Sequence, residues 1–138
     1  MKKYLIATHG QLASGLKSSL EFFIGTEQTI ETIDAYIDDS DYTEKLVGFI
    51  ESVTATEQAI IFTDLKGGSV NQRVVLTAIE AKKENIFVVT GTNLPTALSL
   101  ILDSEPLSAE RIQALIHESQ VEYVPLSVPE EEEDFFDA

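Results

Sequence analysis

Short apolar runs alternate with stretches of helical spacing along most of the chain. The first run, Lys3-Tyr4-Leu5-Ile6-Ala7-Thr8, reads as a buried strand and ends in His9-Gly10. Leu12, Leu16, Leu20 and Phe23 then recur at three and four residues, which predicts one apolar helix face closing near Gly25. Thr29 to Tyr36, short and rich in β-branched residues, reads as a second strand. Ser40 and Asp41 supply an N-cap and an acidic first turn for a helix carrying Leu46, Phe49, Ile50 and Val53. A third strand, Ala59 to Thr63, runs into Asp64-Leu65-Lys66-Gly67-Gly68-Ser69. Ser69 is placed to cap a helix whose apolar members are Val70, Val74, Leu76, Ala78 and Ile79. Ile86 to Thr90 has almost no polar residue, which predicts a fourth strand buried on both faces. Asn93 and Pro95 look like the cap and early-turn proline of a helix with Leu98, Ile101 and Leu102 on its core side. One more helix is expected from Ser108 through His117, then an extended segment from Val121 to Val128.

Strands that alternate with helices imply βαβ units and right-handed crossovers. The fold class expected is α/β: a single domain with an open, mostly parallel sheet in order 2-1-3-4 and helices on both faces. The last segment differs from the other four. Tyr123 and Leu126 could face a core, but Pro125 lacks a ladder donor, which points to an edge strand. The expected domain therefore covers 1–128, with an acidic, disordered tail over 129–138.

Composition narrows the function classes. At 138 residues the chain is large enough for one hydrophobic core, and it has no cysteine, so disulfides and thiolate metal sites are excluded. No apolar run approaches the roughly 20 residues of a membrane span, and Met1-Lys2-Lys3-Tyr4 lacks a signal-peptide layout, so a cytoplasmic location is expected. The formal net charge is -15, with Glu130 to Glu133, Asp134 and Asp137 concentrated at the end. Nucleic acid is thereby disfavoured as a partner, whereas a basic protein surface would suit it.

The candidate chemistry collects at strand ends, where open α/β sheets place their ligands. His9 offers a ring nitrogen that can attack only if the other nitrogen holds the proton. Asp64 is the candidate to accept that proton's hydrogen bond and fix the tautomer. Gly67 and Gly68 allow close backbone approach, and Ser69 adds a hydroxyl and free amides at a helix start, a cradle for phosphoryl oxygens. Order 2-1-3-4 would bring His9 and Asp64 together at the switch point. Each piece alone is weak, since a lone histidine or glycine pair is more often an ordinary turn; their joint placement is what argues for a site. No P-loop or dinucleotide fingerprint is present. His117 has no partner at fixed spacing, and Asp38-Asp39-Ser40-Asp41 lacks the glycine and distal glutamate of an EF-hand, so neither a metal nor a cofactor is expected.

Thr8-His9-Gly10, Leu12-Ala13-Ser14-Gly15-Leu16, Phe62-Thr63-Asp64-Leu65 with Gly67-Gly68-Ser69, and Gly91-Thr92-Asn93-Leu94-Pro95 occur in order. This set resembles the enzyme IIA component of the mannose family of the bacterial phosphoenolpyruvate-dependent sugar phosphotransferase system, over nearly the whole chain up to Val128. The resemblance implies that His9 accepts phosphate from the phosphocarrier HPr and passes it to a IIB component, which serves the membrane IIC/IID permease. It also implies that Asp64 orients the histidine, that Ser69 lies in the phosphate loop, and that the last strand is exchanged in a homodimer. Asn93 and Pro95 would shape the rim where partners dock. Two departures stand out: Val70-Asn71-Gln72 follows the loop serine where the family often has proline, and Lys66 replaces an apolar or aromatic residue and is read as solvated. The alternatives are a relay to a dihydroxyacetone kinase and a regulatory module read out by its phosphorylation state.

Overall fold

The central strand of the sheet, β1 (Lys2–His9), is buried from Tyr4 to Thr8, as its apolar sequence predicts. The computed structural model describes residues 1–128, so the acidic tail expected over 129–138 lies outside the described residues. β1 runs parallel between β2 (Ile30–Ala35) and β3 (Gln58–Thr63), and β4 (Ile86–Val89) pairs with β3 to complete the order β2-β1-β3-β4. This is the expected α/β sheet.

Alternate residues of β1 feed opposite cores, as the period of two requires. Tyr4 and Ile6 pack with Ile60, Phe62 and the helices α1 (Leu12–Ile24), α4 (Leu94–Leu102) and α5 (Ala109–Glu118). Leu5 and Ala7 pack with Ile61 beneath α2 (Thr43–Ser52) and α3 (Ser69–Ala81). Helices therefore cover both faces, and the carboxyl ends of β1 and β3 stay free to carry chemistry.

Several local expectations shift. The buried stripe of α1 is Ala13, Leu16 and Leu20, while Leu12 and Phe23 stand outside the core at 47% and 64% exposure. The reason is the buried Thr8 hydroxyl, which accepts the Ala13 amide at 2.8 Å and turns that side of the helix toward the sheet. α2 starts at Thr43 rather than after Ser40, because the Asp38 and Asp41 carboxylates bond the amides of Ser40 and Thr43 in local turns instead of starting a helix. Leu76 and Ile79 of α3 and Leu102 of α4 are exposed rather than core residues. β4 is only partly buried at Ile86, Phe87 and Val88, because within this chain it is an edge strand. The extended segment 121–128 makes no edge strand: it pairs with no strand among the described residues, and Val121, Tyr123 and Leu126 are exposed.

The ledger of buried and exposed positions yields a direct test. Phe62 is fully buried at the sheet centre, so Phe62→Ala should lower the unfolding free energy by about 3–5 kcal/mol. Leu76→Ala, on the exposed side of α3, should change it by less than about 0.5 kcal/mol in the same urea titration.

Candidate active site

The ladder between β1 and β3 ends at Ala7 opposite Thr63, one residue short of Asp64. At the next rung a side chain takes over from the backbone. Asp64 Oδ2 accepts the His9 backbone N–H at 2.9 Å and lies 3.0 Å from His9 Nδ1. Its other oxygen, Oδ1, accepts the Leu65 amide at 2.9 Å. On the opposite side of β1, His9 is in register with Ala35, whose carbonyl accepts the Gly10 amide. The backbone around His9 is thus held by Asp64 on one side and by Ala35 on the other, while the His9 side chain remains 41% exposed.

Burial pushes the Asp64 carboxyl up, but hydrogen bonds from the His9 amide, the His9 ring and the Leu65 amide outweigh it and hold the carboxyl below the usual range. A carboxylate can only accept, so His9 Nδ1 carries the proton, and in the neutral ring Nε2 holds the lone pair.

Nε2 faces the start of α3. Ser69 Oγ lies 3.3 Å from it. The turn leading there is closed by the Gly68 amide on the Leu65 carbonyl, and Gly67 adopts φ 76, a conformation that favours glycine. Gly68 has a different constraint. A Cβ there would sit 3.1 Å from the Leu65 carbonyl oxygen and 3.4 Å from His9 Cε1, so the imidazole rests almost against the loop backbone. The helix amides beyond it supply the positive end of a dipole suited to an anion.

The expected residues His9, Asp64, Gly67, Gly68 and Ser69 therefore meet in one place. Ser69 is the first residue of α3 rather than its cap. Asn93 caps α4 by accepting the Thr96 amide, and Pro95 sits in the first turn, as expected. Neither bonds to His9 or Asp64 among the described residues; their loop is tied to the end of β3 through Thr92, whose hydroxyl donates to the Thr63 carbonyl at 2.9 Å. Lys66 is exposed, and His117 is exposed on α5.

Two residues were given no role by the sequence. Asn71 is buried; its amide donates to Thr63 Oγ1 at 2.9 Å and its carbonyl accepts the Gly67 amide at 3.1 Å, so it fastens the glycine turn to the end of β3. Its position two residues after the loop serine was the available signal. Tyr36, just beyond β2, has φ 67, an unfavourable conformation for a side chain larger than asparagine, at roughly 1–2 kcal/mol. Its Oη lies 2.9 Å from Ser69 Oγ and its ring centroid 5.5 Å from that of His9. A terminal aromatic of a strand gave no warning of this.

The family described as the phosphotransferase-system fructose IIA component matches residues 3–118. Among curated proteins none matches the chain. A proposed phosphoenolpyruvate-dependent sugar phosphotransferase system permease from Klebsiella pneumoniae is 28% identical, with a TM-score of 0.68 over 86% of this chain and 82% of its own. The fold also matches the phosphotransferase system component EIIA from Streptococcus agalactiae, at 23% identity and TM-score 0.74 over 88% of this chain and 97% of that one. The mannose/sorbose-specific IIA subunit from Enterococcus faecalis is 23% identical, with TM-score 0.73 over 92% of this chain and 98% of that one.

The depressed Asp64 carboxyl gives a pH prediction. A group whose folded pKa is lowered stabilises the fold above its unfolded value, about 3.9 for aspartate, and loses that contribution as pH falls through the folded value. The stability advantage of the native chain over Asp64→Asn should therefore narrow as the pH is taken below about 4, measured by urea unfolding across pH.

Proposed function

The chain belongs to the IIA-component family matched over residues 3–118, and on that footing we propose that it carries phosphate on His9 from phospho-HPr to a IIB component. Family and fold support a phosphocarrier role in a sugar phosphotransferase system. The observation that supports the finer reading best is the division of labour in one imidazole: Nδ1 is held by Asp64, and Nε2 points at a serine and a helix N-terminus. No helix among the described residues is long and apolar enough to cross a membrane, and a cytoplasmic protein working beside a membrane permease is the matching proposal.

The step balances without a cofactor. The Nε2 lone pair of His9 attacks the phosphorus carried on a donor imidazole. A new N–P bond forms as the donor N–P bond breaks, and that electron pair returns to the donor nitrogen. His9 becomes a phosphoimidazolium with Nδ1 still protonated, and the Asp64 carboxylate offsets its positive charge. Ser69 presents its hydroxyl and the start of α3 the positive end of a helix dipole to the phosphoryl oxygens, while Gly67 and Gly68, whose own amides are held by Asn71 and Leu65, let the loop come close. Transfer onward to IIB is the reverse process with a new acceptor. Asn93 and Pro95 are proposed as part of the docking rim.

The test uses labelled phosphoenolpyruvate, enzyme I and HPr, followed by IIB. Acid-labile label should appear on the native chain, vanish in His9→Ala, and leave when IIB is added. Asp64→Ala should stay folded and accept phosphate about 10²–10⁴-fold more slowly. Label retained by His9→Ala would defeat the assignment. Label that no IIB removes would favour the regulatory reading, and label passed to a dihydroxyacetone kinase would favour that relay.

A homodimer is proposed with this function. The exposed Val121, Tyr123 and Leu126 and the open outer side of β4 are what an exchanged strand would cover. Sedimentation should give twice the chain mass at micromolar concentration, and deletion from Val121 onward should give monomer or aggregate. A well-folded monomer from the intact chain would rule the exchange out.

A further inference from the structure

Among the described residues, Tyr36 is the one aromatic side chain that reaches both Ser69 and His9. Its Oη is 2.9 Å from Ser69 Oγ, which is itself 3.3 Å from His9 Nε2. The direction of this chain of hydrogen bonds follows from its Asp64 end. Asp64 accepts, so Nδ1 donates, and in the neutral ring that is the nucleophile Nε2 is an acceptor. The Ser69 hydroxyl must then donate to Nε2, which leaves its oxygen to accept from the Tyr36 hydroxyl. One order of donors runs through four residues: Tyr36 to Ser69 to His9 to Asp64.

We infer that Tyr36 is a positioning residue for phosphoryl transfer, holding the Ser69 oxygen in place so that its proton can turn from Nε2 to the incoming phosphoryl group. The inference rests on the phosphocarrier reading above. Attack consumes the Nε2 lone pair, so the Ser69 proton loses its acceptor at the moment a phosphoryl oxygen arrives beside it. Rotation about the Cβ–Oγ bond re-aims that proton without moving the oxygen, provided something anchors the oxygen. The Tyr36 hydroxyl is the anchor, and no proton changes owner. Tyr36 is itself braced: its ring meets Tyr42 edge-on at 6.0 Å, and Tyr42 lies under the Arg73 guanidinium at 5.9 Å. Its left-handed backbone conformation turns the ring toward Ser69 instead of continuing β2, the kind of local strain that concentrates at working sites.

The hydroxyl can be removed without emptying a core, because Tyr36 is 59% exposed. The experiment is a double-mutant cycle of Tyr36→Phe and Ser69→Ala, read as single-turnover uptake of label from phospho-HPr across a range of HPr concentration. Tyr36→Phe should lower the maximal transfer rate about tenfold, a typical consequence of a loosened donor, and leave the half-saturating concentration unchanged. The double variant should be no slower than Ser69→Ala alone, because both act through the same hydroxyl. A native rate in Tyr36→Phe would overturn the inference. So would losses that multiply in the double variant, or an effect confined to half-saturation, which marks a docking contact. A native chain that takes up no label at all would fail the phosphocarrier reading itself and take this inference with it.

Discussion

A single carboxylate oxygen, Asp64 Oδ2, receives both the backbone N–H and the ring Nδ1–H of His9, and the arrangement of the site follows from that double role. It is possible only because β1 and β3 are parallel neighbours whose ladder stops at Ala7 and Thr63. The carboxylate continues the ladder by one bond and uses the same atom to orient the imidazole. Backbone geometry and tautomer are therefore set together. A displacement of β3 along β1 by one residue would send Asp64 to the other face and leave both donors without it.

The glycine turn depends on the same strand end. Thr63 is buried, and its hydroxyl accepts the amide of Asn71, whose carbonyl in turn holds the Gly67 amide. The glycine turn is fastened to β3 one residue before Asp64, so the turn and the carboxylate are anchored at the same strand end. Gly68 brings the turn into contact with the imidazole. Together these constraints place a fixed lone pair, a serine hydroxyl and a helix N-terminus around one small volume at the open edge of the sheet.

The strands and their order were legible because buried parallel strands write themselves as apolar runs, and His9 and Asp64 were legible because each follows such a run directly. The details that escaped depend on tertiary contacts. Leu12 and Phe23 have helical spacing, but the Thr8 hydroxyl sets which side of α1 meets the sheet. β4 is apolar throughout and yet half-covered, since apolarity does not say whether a further strand lies outside it. Asn71 and Tyr36 were missed for a related reason: the Thr63 and Ser69 hydroxyls they meet lie eight and 33 residues away, and apart from the place of Asn71 after the loop serine the local pattern does not separate a structural asparagine or a strand-ending tyrosine from a solvated one.

We propose that Asp64 keeps the proton on Nδ1 and leaves Nε2 of His9 as the nucleophile. A long-range proton–nitrogen correlation spectrum of the unphosphorylated protein, taken at a pH where the ring is neutral, reads this directly. Nδ1 should be protonated and Nε2 unprotonated and pyridine-like. A His9 ring carrying its proton on Nε2 would contradict the proposal.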